Sequence, residues 1–160
     1  MTAHAEKLDA LRANINEFMQ RLCCDYEIIG DVYKYYKGST VVFLRPLMWL
    51  EEHTLVQFTA VILTDVARDG NEAMFEYFSM LNNEMHLGRL SWQEHGSSGK
   101  GDILLTHSLL GDFLDPEELQ TCVLVMAYTA DDLDEELQAK FGGKRWVDGM
   151  ATSVCKEKAG

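Results

Sequence analysis

Residues 54–66 read TLVQFTAVILTDV and, after Asp69-Gly70-Asn71, residues 72–85 read EAMFEYFSMLNNEM. The first run is the longest β-strand candidate in the chain, rich in β-branched and aromatic residues and free of glycine and proline. Strand alternation puts Val56, Phe58, Ala60 and Ile62 on one face, and Leu55, Val61 and Leu63 on the other with Gln57 and Thr59. A half-solvated strand alternates apolar and polar residues, so this mixed second face is expected to be covered in part. The second run has helical spacing. Glu72, Glu76, Ser79 and Asn83 fall into one narrow polar stripe. Ala73, Met74, Phe75, Tyr77, Phe78, Met80, Leu81 and Met85 fill the remaining arc of about 220°, whereas a helix packed on one core needs about 100°.

Outward from these two runs the elements alternate in type. Leu8, Leu11, Ile15, Phe18 and Leu22 recur at steps of three and four and predict a first helix, Ala5 to Leu22. Tyr26 to Tyr36 and Thr40 to Leu44, split by Lys37-Gly38-Ser39, predict a β-hairpin. Pro46 cannot donate to a ladder, so the second arm is expected at an edge or near its end there. Arg89 to His95 and Asp102 to Leu110 flank a Gly-Ser turn and predict a second hairpin. Asp115-Pro116-Glu117-Glu118 supplies an N-cap, a first-turn proline and acids for a long last helix that Gly142-Gly143 closes. The resulting order is α-β-β-β-α-β-β-α. Short turns make the strands antiparallel, which gives an α+β class with three helices flanking a twisted sheet.

The chain has 160 residues, enough for one core, and no linker divides it. A single domain is expected over residues 1–148, with a flexible tail over 149–160. Fourteen Lys and Arg stand against 26 Asp and Glu, a net charge of −12. That deficit argues against nucleic acid or an anionic membrane as partner. No apolar run reaches the roughly 20 residues that span a bilayer, and no signal peptide opens the chain. Four cysteines, with Cys23 and Cys24 adjacent, do not make a disulfide framework; free thiols and a cytoplasmic location are expected.

Several strings carry a resemblance across residues 25 to 146. They are Val61-Ile62-Leu63-Thr64-Asp65-Val66, Leu81-Asn82, His107-Ser108-Leu109-Leu110-Gly111-Asp112, Ala130-Asp131-Asp132-Leu133-Asp134 and Phe141-Gly142-Gly143. With the element order, they make the chain resemble the YbjN-like family, whose fold is that of the class I type III secretion chaperones. The resemblance implies a small acidic protein, a homodimer, with a sheet and flanking helices that hold an extended partner segment.

The residues offer no chemistry to set beside that. The five histidines are scattered with no zinc-hydrolase string, so no metal is expected. His107 reads as a satisfied sheet histidine, and Cys122 as a packed hydrophobe on the last helix. Gly96-Ser97-Ser98-Gly99-Lys100-Gly101 is not a phosphate loop: Glu94 stands where its first glycine belongs, and a strand follows. The acidic block Asp131, Asp132, Asp134, Glu135 and Glu136 lacks the glycine and loop of a calcium site and reads as a solvated helix face. Ser108 has no nucleophile elbow.

The expectation is therefore a non-enzymatic, cofactor-free, chaperone-like homodimer that binds a segment of another protein. Ala73, Phe75, Tyr77 and Met80 are the expected dimer contacts, and Leu55, Val61 and Leu63 the expected partner contacts, with an acidic periphery favouring basic flanks. The alternative is a regulatory or sensory module binding a small ligand between sheet and helices, lined by Trp49, Trp92 and Trp146.

Overall fold

The computed structural model describes residues 3–22 and 25–147. Cys23, Cys24 and the tail expected over 149–160 lie outside the described residues. The chain runs α1 (Ala3–Arg21), β1 (Tyr26–Ile29), β2 (Val32–Lys37), β3 (Thr40–Trp49), β4 (His53–Ala67), α2 (Ala73–Glu84), β5 (Arg89–Glu94), β6 (Lys100–Leu110), a 3-10 turn (Gly111–Phe113), α3 (Pro116–Phe141) and β7 (Lys144–Arg145). The strands form one antiparallel sheet in the order β1-β2-β3-β4-β6-β5, with β7 against the end of β4. This is the α+β architecture and the helix–strand order expected from sequence.

One face of the sheet carries the core. Tyr33 and Tyr35 of β2, Val42 and Leu44 of β3, Val56, Phe58, Ala60 and Ile62 of β4, and Ile103 and Leu105 of β6 are all buried. They meet Leu11, Ile15 and Met19 of α1, Met74 and Phe78 of α2, and Leu119, Val123, Met126, Ala130 and Leu137 of α3 in a single cluster. All three helices thus layer the same face. Asp115 caps α3 as expected, its Oδ1 accepting from the Glu118 N–H at 2.8 Å.

Three local expectations need correction. Tyr26 to Tyr36 is not one strand; it folds back at Gly30-Asp31, where Gly30 adopts φ +62°, into β1 and β2. Leu63 does not face outward with Leu55 and Val61. The β4–β6 register shifts between Val61 and Leu63, alternation breaks, and both Ile62 and Leu63 are buried. The acidic block is not simply a solvated face either. Asp134 is buried, and Asp131 and Asp134 both reach the β2–β3 turn, with Ser39 Oγ at 2.5 and 2.8 Å. Pro46 obeys its constraint by another route, since β3 is an interior strand. The β2 ladder ends at the Tyr33–Leu44 pair, so at Pro46 β3 is paired to β4 alone.

The far end of β6 is locked onto the start of β4. Asp112 Oδ1 accepts from the Thr54 amide at 3.1 Å and the Thr54 hydroxyl at 2.7 Å, and Oδ2 meets His53 Nδ1 at 2.8 Å. Gly111 has no room for a Cβ, which would lie 2.5 Å from Thr54 Oγ1 and 2.7 Å from Leu11 Cδ2. The Thr54 hydroxyl first, then His53, holds the Asp112 carboxyl below its ordinary range. A lowered folded value means stability that is present above the unfolded pKa of about 3.9 and lost as pH falls through the folded value. Asp112→Asn should therefore flatten the acid limb of the urea midpoint below about pH 4, where the unmodified chain loses stability. Asp112→Ala, which leaves the Thr54 donors unpaired, should cost about 1–3 kcal/mol at neutral pH in the same urea titration.

Candidate functional site

Helix α2 lies over the β5 side of the sheet, and its apolar arc exceeds what the sheet beneath it covers. Only Met74 and Phe78 are fully buried in it. Tyr77, Leu81 and Met85 are half-buried, Ala73 is exposed, and Phe75 and Met80 remain 46% and 55% exposed. On one flank Ala73, Tyr77 and Met80 line a groove of about 390 Å³ with Glu76, Lys140 and Phe141. The Tyr77 hydroxyl donates to Glu136, Lys140 Nζ sits 5.0 Å from its ring centroid, and its ring meets Phe141 edge-on at 5.8 Å. On the other flank Phe75 meets Trp92 edge-on at 6.2 Å, above a hollow of about 420 Å³ beside edge strand β5. The four residues expected to mediate self-association thus lie on one short helix, split between its two flanks.

Among the described residues no helix packs across the sheet face opposite α1, α2 and α3, although Trp146 lies on it. Leu55 and Val61 are on it and half-buried. Phe43 projects from its middle; Lys34 Nζ lies 5.5 Å over the Phe43 ring, and Trp146 meets that ring edge-on at 5.9 Å and 82°. The chain reaches Trp146 after β7 has paired with Leu63 and Thr64, at the point where β3 would block a longer strand. Val32, Phe43, Arg45, Gln57 and Thr59 line a hollow of about 310 Å³ on the same face. At the β3–β4 hairpin end Trp49, Leu50, Leu110 and Phe113 are all exposed, Phe113 by 75%. Lys34, Phe43 and Arg45 were legible as alternate strand positions, yet no motif marks them, and Trp146 drew notice only as a pocket candidate.

The remaining candidates resolve into structure. His107 accepts at Nδ1 from the Gly88 amide at 3.4 Å, and burial, then nearby Arg89, depresses its pKa. The 96–101 segment is a hairpin turn, with Gly96 and Gly99 at φ +59° and +72°, and the Gly99 N–H donates to Glu94 Oε1 at 2.8 Å. A backbone donor that a phosphate would need is thereby taken by the chain itself. Among the described residues no three His, Cys, Asp or Glu side chains are grouped to hold a metal, and no helix is long and apolar enough to cross a membrane. The three tryptophans do not share a cavity: Trp49 stacks near His53 at the hairpin end, Trp92 Nε1 donates to the Val66 carbonyl at 3.1 Å, and Trp146 lies on Phe43.

Comparison with known proteins gives a consistent result. A family model described as TY-Chap1, "T3SS (YopN, CesT) and YbjN peptide-binding chaperone 1", matches residues 10–149. No curated protein sequence matches the chain. Among solved structures, YbjN from E. coli superposes with a TM-score of 0.59 at 8% identity, covering 81% of this chain and 93% of that one. The ExsC–ExsE complex superposes with a TM-score of 0.54 at 16% identity, covering 84% of this chain and 96% of the matched one. At these identities the likeness is one of fold.

Cys122 supplies a chemical test of the core beneath these surfaces. Burial, then nearby Glu118, pushes its thiol up to about 12, so almost no thiolate exists near neutrality. Iodoacetamide at pH 8 should leave Cys122 unlabelled in the native protein and label it fully in urea, read by peptide mass mapping. Rapid native labelling would mean that the α3 core opens readily.

Proposed function

The chain belongs to the TY-Chap1 family of T3SS and YbjN peptide-binding chaperones, and from that premise we propose that it acts without catalysis, as a homodimer holding an extended segment of a partner protein. The observation that carries the reading is the one-sided layering. Three helices share one sheet face, and among the described residues no helix covers the other, so that a chain could lie across it. Leu55 and Val61 offer that chain apolar contact; Leu63, being buried, does not. Among the described residues no further strand pairs with edge strand β1, which could take a backbone, whereas the Leu90 N–H and C=O on the edge of β5 are taken by Asn82. That a protein of this fold, ExsC, is solved in complex with ExsE supports a protein partner for this chain as well.

In this reading the dimer seam would run along α2. Phe75 and Met80 are exposed on a helix whose polar stripe is narrow, and a second copy would shield both. Tyr77 and Met80 would then contribute roughly 1.5–3 kcal/mol for each side chain fully removed from water. The net charge of −12 disfavours nucleic acid and anionic membranes, and the place of action is taken to be the cytoplasm.

Light scattering should report twice the chain mass of 18.2 kDa, and Tyr77→Asp with Met80→Asp should halve it while the far-UV spectrum stays unchanged. A well-folded monomer for both proteins would overturn the seam.

A further inference from the structure

The acidic character of the chain is not spread evenly, and the bare sheet face departs from it. Lys34 and Arg45 project from that face, at alternate positions to the buried residues of β2 and β3, whereas the Arg89 guanidinium turns back to the Met85 and Gly88 carbonyls. Its acids are Glu27, directly opposite Lys34, Asp65, which pairs with Lys144 beside His95, and Asp102. Glu27 accepts from the Tyr36 hydroxyl at 3.1 Å, and Asp102 Oδ2 lies 2.9 Å from His95 Nε2. The acids of α3, from Glu117 to Glu136, belong to the helical layer on the opposite side. A partner lying across β2 and β3 therefore meets two cations, Lys34 and Arg45, beside Glu27, although the whole molecule is strongly negative.

Arg45 lines one hollow on this face, and Lys34 lies beside it. Lys34 stands opposite Phe43, and Arg45 lies two residues further along β3, so the pair are diagonal neighbours with Cβ atoms roughly 7–8 Å apart. Among the described residues neither forms an ion pair. Val32 and Phe43 give the hollow its apolar surface, while Gln57 and Thr59 add hydrogen-bonding groups on its β4 side. Its volume of about 310 Å³ suits a single acidic side chain with part of its backbone. Arg45 offers a planar fork that matches a carboxylate, and the low-lying Phe43 ring shields the contact from water on one side.

We propose that the bare face of the sheet receives an acidic extended segment of a partner protein, with one Asp or Glu carboxylate seated between Lys34 and Arg45. This rests on the peptide-holding role proposed above and specifies its chemistry. It reverses the basic flanks expected from total charge, because the charge that a docked segment feels is that of the face it touches. Apolar residues of the segment, spaced two apart from the carboxylate, cover Leu55 and Val61 on the same face.

The test uses three fluorescein-labelled 12-residue peptides with one Ser-Val frame and Glu, Gln or Lys at four alternate positions, titrated with the full chain by fluorescence polarisation. The Glu probe should bind about tenfold or more tighter than the Gln probe, with the Lys probe weakest. Arg45→Gln and Lys34→Gln should each bring the Glu probe down towards the Gln level and leave the Gln probe unchanged; thermal melting confirms that both variants fold. Equal binding of Glu and Gln probes, or preference for Lys, overturns the acidic preference and leaves peptide holding intact. Strong Glu-probe binding that ignores both substitutions overturns this site. Failure of all three probes to bind counts against the sheet face as a peptide site altogether.

Discussion

The pairing of β4 with its neighbours is the constraint on which the rest of the molecule depends. Its 15 residues run antiparallel to β3 on one side and β6 on the other, and β7 takes the place of β3 where that strand has yet to begin. Val56, Phe58, Ala60 and Ile62 then present a continuous apolar row to the helices, and each is buried to within a few per cent. A register slip of one residue would carry that row to the other face and replace it with Leu55, Gln57, Thr59 and Val61. The helices would lose their seat. The Asp112 lock on Thr54 and the shift after Val61 fix the register at the two ends of the strand, so the inner face is decided by both side-chain pattern and backbone anchoring.

A one-sided core has two consequences for the surfaces. The sheet keeps a face with no helix on it, where polar and apolar residues mingle because neither water nor a packed layer sets the rule. The last residues of the sheet, at β5, must be covered by α2, and a 12-residue helix over an edge strand cannot hide a wide apolar arc. Asn82 holds it there by clasping β5, its Nδ2 donating to the Leu90 carbonyl at 3.1 Å and its Oδ1 accepting from the Leu90 amide at 2.7 Å. That clasp fixes which side of α2 faces inward. It leaves Phe75 and Met80 on the flanks whatever else happens.

Much of this was legible in the sequence, and what was not has identifiable causes. α3 spans Pro116 to Phe141 because its cap, first-turn proline and closing glycines are all local signals, and local signals survive without tertiary context. The excess on α2 was legible because an arc can be measured on a helical projection. The turn at Gly30-Asp31 was hidden inside a run of β-formers on both sides, where only one glycine marks the reversal. Leu63 was misplaced because a bulge breaks period two without altering composition, so alternation carries on correctly to Val61 and fails beyond it. Strand β7 has two residues and no pattern to detect; it forms because Gly143 admits the chain where a Cβ would lie 2.6 Å from Val66 Cγ2. The Lys34 and Arg45 pair on the bare face was hidden for a different reason. Charge was summed over the chain, while Lys34 and Arg45 act as members of one face that only the register assembles.

The strings that carried the family resemblance turn out to be fastenings. Asn82 clasps β5, Asp112 grips the start of β4, Asp131 and Asp134 hold the β2–β3 turn through Ser39, and Gly142-Gly143 turns the chain from α3 into the sheet. Each joins an element to a neighbour, Asp112, Asp131 and Asp134 across a long separation in sequence and Asn82 and the two glycines between consecutive elements. None of them touches the hollow at Arg45, the Phe75 and Met80 flanks, or the exposed Phe113. These fastenings and the apolar pattern hold the elements together without drawing on the exposed surfaces. What such a chain holds must be argued from the faces that the fastenings leave open, because the residues that identify its architecture are already occupied in maintaining it.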